Sequence, residues 1–150
     1  MYRTIAIVLF LVTVNCKSSQ NEKNSGKEPV RLIKRGNLFG SGEEGIKAQH
    51  LIITNQSDWN DLMHKMNAVN EVTSLFSETE IDFSHYSIIA VFDEVRGSGG
   101  HSLDLSIKEN TKKLVVTVIR KAPKGLATSV LTQPYCIIKV PKSEKVIVFE

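Results

Sequence analysis

The chain has 150 residues, 41% hydrophobic and 23% charged, which suits one globular domain and is too apolar for a disordered chain. A net charge of +3, spread over scattered lysines and arginines with no interleaved aromatics, argues against a nucleic-acid surface. Function therefore has to be read from the elements and their loops.

Residues 1–15 are read as a targeting segment. Arg3 supplies a short positive region, and residues 5–12 form an apolar run too short to span a bilayer. Cys16 follows, and the composition then changes completely. This arrangement resembles a bacterial lipoprotein signal, in which the cysteine is lipidated. Asn15 stands where that signal usually has a small residue. Residues 16–28 (CKSSQNEKNSGKE) contain no apolar side chain after the cysteine and are expected to be a solvated tether. The resemblance implies lipid anchoring through Cys16 in the bacterial cell envelope, at the outer membrane if the source is Gram-negative. With Cys16 lipidated, Cys136 has no partner and no disulfide framework is expected.

Residues 29–150 are expected to form a single domain. A first strand is read at 30–34 and a glycine-punctuated turn or bent strand at 36–42. The glycines at 36, 40, 42 and 45 do not make a phosphate loop, because no Gly-Lys-Ser/Thr closes the pattern. A second strand is read at 46–53. Asn55 or Ser57 can cap a helix there, and Asp58 suits its positive end. Trp59, Leu62, Met63 and Met66 then repeat at i, i+3, i+4 and i+7, one apolar stripe that packs a short helix onto a sheet. Residues 71–80 are read as a loop.

Residues 81–105 organise the chain. A strand near 85–94 enters the tip Arg96-Gly97-Ser98-Gly99-Gly100, and a second strand at 101–108 leaves it. The pair is read as a hairpin. In the second strand, Leu103, Leu105 and Ile107 alternate with Ser102, Asp104, Ser106 and Lys108, so one face is buried and one is wet. Further strands are read at 114–120, 134–140 and 145–149, with an irregular stretch at 122–133. Cys136, inside an apolar strand, is read as a small buried hydrophobe. The expected class is α+β, a mainly antiparallel sheet of six to seven strands with one amphipathic helix on it. A β-sandwich with an inserted helix is the alternative.

The helix start Ser57-Asp58-Trp59, the pair Asp82-Phe83, the Gly99-Gly100 tip, Pro123 with Gly125, and Thr132-Gln133-Pro134-Tyr135 together resemble the PrcB-like domain, over roughly 57–150. That family is named for the C-terminal domain of a protease complex subunit. Its members carry an aromatic where this chain has His101, and a proline before the glycines where it has Arg96-Gly97-Ser98. The resemblance implies an accessory domain that binds and stabilises a partner protein, a protease complex among the candidates, with no catalytic activity.

The residues themselves carry little sign of chemistry. His50, His64, His85 and His101 have no metal-ligand spacing, and no Gly-x-Ser-x-Gly elbow is present. A Ser-His-Asp group assembled in space stays open. Asp82, Asp93, Glu94 and Asp104 are read as a solvated rim, with a cation site as the less favoured reading. No cofactor, metal or small-molecule ligand is expected. Binding is expected at the two irregular places, through Arg96, Gly97, Ser98, Gly99, Gly100, His101, Lys124, Gln133 and Tyr135. One alternative is a protease inhibitor acting through the glycine tip, and another is a hydrolase with an unrecognised site.

Overall fold

The computed structural model describes residues 29–150; the leader, Cys16 and the tether lie outside the described residues. Seven strands and one α-helix follow in the order β1 (Arg31–Leu38), β2 (Gln49–Ile53), α1 (Gln56–Met66), β3 (Tyr86–Phe92), β4 (Ser102–Glu109), β5 (Lys113–Lys121), β6 (Gln133–Pro141) and β7 (Val146–Phe149). The class is α+β, as expected. The strands divide into two sheets, β1-β6-β3-β2 and β4-β5-β7, antiparallel throughout except for the β5–β7 pair.

The four-stranded sheet is the middle layer. One face carries Ile88, Ala90, Phe92, Tyr135 and Ile137 and packs against Trp59, Leu62 and Met66 of α1. The other carries Ile89, Val91, Cys136, Ile138 and Val140 and packs against Leu103, Leu114 and Val116 of the second sheet. Both faces of β3 and β6 are therefore dry, which is why YSIIAVF and PYCIIKV show no alternation. Asn55 caps α1: its side chain accepts from the Asp58 N–H at 2.9 Å, which resolves the choice between Asn55 and Ser57. The stripe packs as expected, and the Trp59 indole N–H donates to the Thr79 carbonyl at 2.8 Å.

The main local differences from the sequence reading lie before β3. β1 continues through Gly36 to Leu38, β2 begins only at Gln49, and a single 3-10 turn (Thr73–Leu75) interrupts the loop after the helix. Gly36 suits the β1 interior because the Tyr135 ring of β6 lies across it: a Cβ there would sit 3.2 Å from the tyrosine hydroxyl.

The larger correction concerns the organising hairpin. β3 pairs with β2 and β6, whereas β4 pairs with β5 in the other sheet. A strand dry on both faces fits the middle of the central sheet, and a strand with one wet face fits the outer layer. The glycine tip is thus a crossover between sheets, not a hairpin turn. The chain crosses back over 122–132, from β5 to β6, at the same end of the sandwich. The 39–48 connection joins β1 to β2 there too, since Leu38 pairs with Gln133 and Gln49 with Phe92.

Candidate functional site

Three connections, 39–48, 93–101 and 122–132, therefore share one end of the fold, here called the loop face. They are bonded to one another. Arg96 and Thr132 form an antiparallel bridge, with Arg96 N to Thr132 O at 2.7 Å and Thr132 N to Arg96 O at 3.0 Å. The Gly99 N–H donates to the Thr128 carbonyl at 2.9 Å, and the Thr132 hydroxyl donates to the Ser98 carbonyl at 3.2 Å. Ser98 Oγ lies 3.1 Å from His101 Nε2, and the Asn37 amide donates to the His101 carbonyl at 3.2 Å.

The glycines at 99 and 100 serve this packing. A Cβ on Gly99 would overlap the Thr128 side chain, and one on Gly100 would come within 2.9 Å of Pro123 Cβ. Gly100 also takes a positive φ of 82°. On the other flank, a Cβ on Gly42 would lie 3.2 Å from Val95, which brings the 39–45 turn against the tip.

Beneath the loops lies a polar layer. The Asp93 carboxylate is buried and takes hydrogen bonds from Arg96 Nη2 at 2.7 Å and Arg120 Nε at 3.3 Å. Burial pushes its pKa up, but the hydrogen bonds from Arg96, the Glu94 backbone and Arg120 prevail and leave it below the ordinary carboxylate value. Gln133, 2% exposed, donates from Nε2 to the Ile46 carbonyl at 2.8 Å and the Asp93 carbonyl at 2.9 Å. One side chain thus ties two of the three connections together.

Exposed apolar side chains stand among polar ones on the loop face. Leu126 is fully exposed, and Leu131, Val130, Val95 and Phe39 are also exposed on the same three connections. Sequence reasoning pointed to the two loops but missed these five side chains. Their signal was available: five large apolar residues stand in or beside glycine- and proline-punctuated loops, where no periodicity assigns them to a core.

The residues expected to meet a partner separate into two groups. Gly97, Gly100 and Lys124 are exposed, and Arg96, Ser98 and His101 are half-buried. Gly99, Gln133 and Tyr135 are buried, which corrects their assignment: they hold the face from below. Burial also pushes the Tyr135 hydroxyl up to about 12.

Of the carboxylates singled out as a rim, Asp93 and Glu94 share Arg96, and the other two have partners of their own. Asp104 pairs with Arg35 at 2.7 Å and Lys121 at 3.4 Å, and Asp82 sits at the start of β3 with Ser84 and His85. Ser, His and Asp meet at that place, but His85 Nδ1 faces both Ser84 Oγ, at 2.9 Å, and Asp82 Oδ2, at 2.8 Å. A charge relay needs opposite ring nitrogens for the two, so this cluster is a turn rather than a triad. Among the described residues no group of His, Cys, Asp and Glu is arranged to hold a metal ion. Cys136 lies in the dry layer between the sheets, and burial pushes its thiol up to about 11.

Both crossovers and the four strands they join fall within one recognisable segment. Residues 87–141 match the PrcB C-terminal family. The PrcB match spans nearly all of β3 and the whole of β4, β5 and β6, with both glycine-bearing loops, and so contains the bonded pair of connections described above. It is narrower than the motif resemblance, which reached from 57 to 150: α1, β1, β2 and β7 lie outside it. The match associates this segment with a protease-complex subunit family. No curated protein and no solved structure matches the chain.

Proposed function

We infer that this is a non-enzymatic accessory domain, held at a membrane through lipid on Cys16, that binds and stabilises a partner protein of the cell envelope through the loop face. The partner class is a protease complex. The observation that carries this reading is the exposure of Leu126, Val130, Leu131, Val95 and Phe39 on connections that share one end of the fold, two of them bonded to each other. Apolar side chains displayed on ordered loops are already in place for docking, so little ordering entropy opposes binding. The PrcB C-terminal match over both crossovers supports the protease-complex assignment. The inhibitor reading draws less support: Gly99 is covered by Thr128 and Val130, which leaves only Gly97 and Gly100 of the tip's glycines exposed.

The test is a cross-linking pull-down from native envelope extract, comparing wild type with Leu126→Asp/Leu131→Asp. Both sites are exposed, so the variant is expected to keep its melting temperature. Capture of one envelope protein by wild type and its loss in the variant, with a shorter partner half-life in cells carrying the variant, is the expected result. Equal capture by both proteins rejects the loop face as the docking surface.

A further inference from the structure

A second surface lies along the side of the central sheet. Both of that sheet's edges could present unpaired backbone groups, but among the described residues only the β1 edge meets a further hydrogen-bonding group. At β1 the Ser77 N–H donates to the Ile33 carbonyl at 3.2 Å, and the Ser77 hydroxyl reaches the Leu32 and Ile33 carbonyls. The outer edge of β2 meets no hydrogen-bonding group among the described residues.

Natural edge strands are blunted by a charge, a proline or a bulge, because an open edge templates further pairing. β2 (QHLII) has none of these: its five residues pair with β3 in unbroken register, and Ile52 is 46% exposed. Beside it runs a groove of about 270 Å³ between β2 and α1. Leu51, Ile53 and Leu62 supply its apolar lining, and Asp58, Asp61 and Lys65 stand on the helix wall. Two carboxylates against one ammonium give that wall a net negative charge.

We propose that the β2 edge and this groove take an extended peptide bearing lysine or arginine, added to the sheet as a fifth strand. Main-chain hydrogen bonds to β2 supply the pairing. Alternate side chains of the added strand point toward α1, where a lysine or arginine lays its aliphatic stem along half-buried Leu51, over the buried Ile53 and Leu62, and its cation at Asp58 and Asp61. An acidic side chain at the same place meets like charge. This contact begins next to the loop face and is independent of it, so it survives if the loop-face reading fails.

The experiment titrates the ¹⁵N-labelled protein with a ten-residue peptide of alternating valine and lysine. Three controls accompany it: a valine–glutamate peptide, a valine–lysine peptide N-methylated at alternate residues, and an Asp58→Asn/Asp61→Asn variant. The expected result is saturable shifts and new amide protection at Gln49–Ile53. Binding should fall roughly five- to tenfold in the variant, as two partly exposed ion pairs allow. The glutamate and N-methylated peptides should not bind at the edge. Equal binding of the N-methylated peptide, shifts confined to the loop face, or no saturable binding overturns the proposal. Protection of β2 that rises with protein concentration alone also overturns it, because the occupant is then a second copy of the chain.

Discussion

Asp93 is the residue on which the underside of the loop face most depends, and replacing it with asparagine tests that dependence. The carboxylate is buried, with two bonds from Arg96 and one from Arg120. Asparagine keeps an oxygen for Arg96 but loses the charge, and its NH2 group opposes Arg120. Exchanging a charge-assisted bond for a neutral one costs about 1 kcal/mol, and losing the Arg120 bond costs about 1 more, a low value because that arginine can rehydrate. Cheaper burial of a neutral amide acts in the opposite direction. Three bonds from two guanidinium groups favour the charged form over desolvation, in keeping with the lowered pKa of Asp93. The expected loss is about 2 kcal/mol at neutral pH, or roughly 8 °C in melting temperature for a domain of this size. Because the folded pKa is depressed, Asp93 contributes above its ordinary value of 3.8 and loses that contribution as the pH falls through the folded pKa. Calorimetry from pH 7 down to pH 2 should therefore show wild type and variant converging in acid. A variant as stable as wild type at pH 7, or a gap that stays constant in acid, would mean that the Asp93 charge does not hold this layer together.

Other expectations follow from the same layers. Gln133→Leu leaves the Ile46 and Asp93 carbonyls without a donor and should cost about 2 kcal/mol in urea unfolding. In a Cys16→Ser protein, the Cys136 thiol, held at about 11 by burial, should resist Ellman's reagent at pH 8 until the domain unfolds. Lys139, buried against Glu78 and 4.4 Å above the Tyr86 ring, should tolerate Lys139→Met with no loss of stability. Glu78→Gln, which strands that ammonium, should lower the unfolding free energy from urea titration by about 1–2 kcal/mol, less than for a fully buried pair because Glu78 is partly exposed. Gly36→Val, which pushes a side chain into Tyr135, should lower the melting temperature, while Gly97→Ala, with open space around it, should leave it unchanged.

The strands and the helix were legible because each has a local cause. The stripe from Trp59 to Met66 repeats at helical spacing, and β4 alternates with period two. The assignment of strands to sheets was harder to see, since local pattern does not say which strands pair. One distinction was nonetheless written in the chain. YSIIAVF is apolar without alternation and SLDLSIKE alternates, so the two strands have different numbers of dry faces and do not suit neighbouring places in one sheet. A glycine-rich link between strands of such different character signals a crossover rather than a hairpin. Gln133 and Tyr135 show the converse error. Gln133 reads as part of the irregular stretch and Tyr135 as the start of the next strand, both facing a partner, but they belong to a strand that is dry on both faces.

The crossover topology also explains why the candidate site is where it is. A hairpin tip is held only by its own two strands and can vary freely. A crossover between stacked sheets must bridge the gap between layers, and here two of them, running in opposite senses, meet at one end. Their backbones satisfy one another: Arg96 with Thr132, Gly99 with Thr128. That mutual satisfaction frees their large side chains from any duty to the core. Leu126 and Leu131 are exposed because the loops are already held by backbone bonds and by Asp93 and Gln133 beneath them, not because the loops are loose. If this is right, Gly99→Val, which breaks the packing on Thr128, should weaken partner capture while Leu126 remains in place. Backbone order and apolar display would then be separable requirements of the same surface.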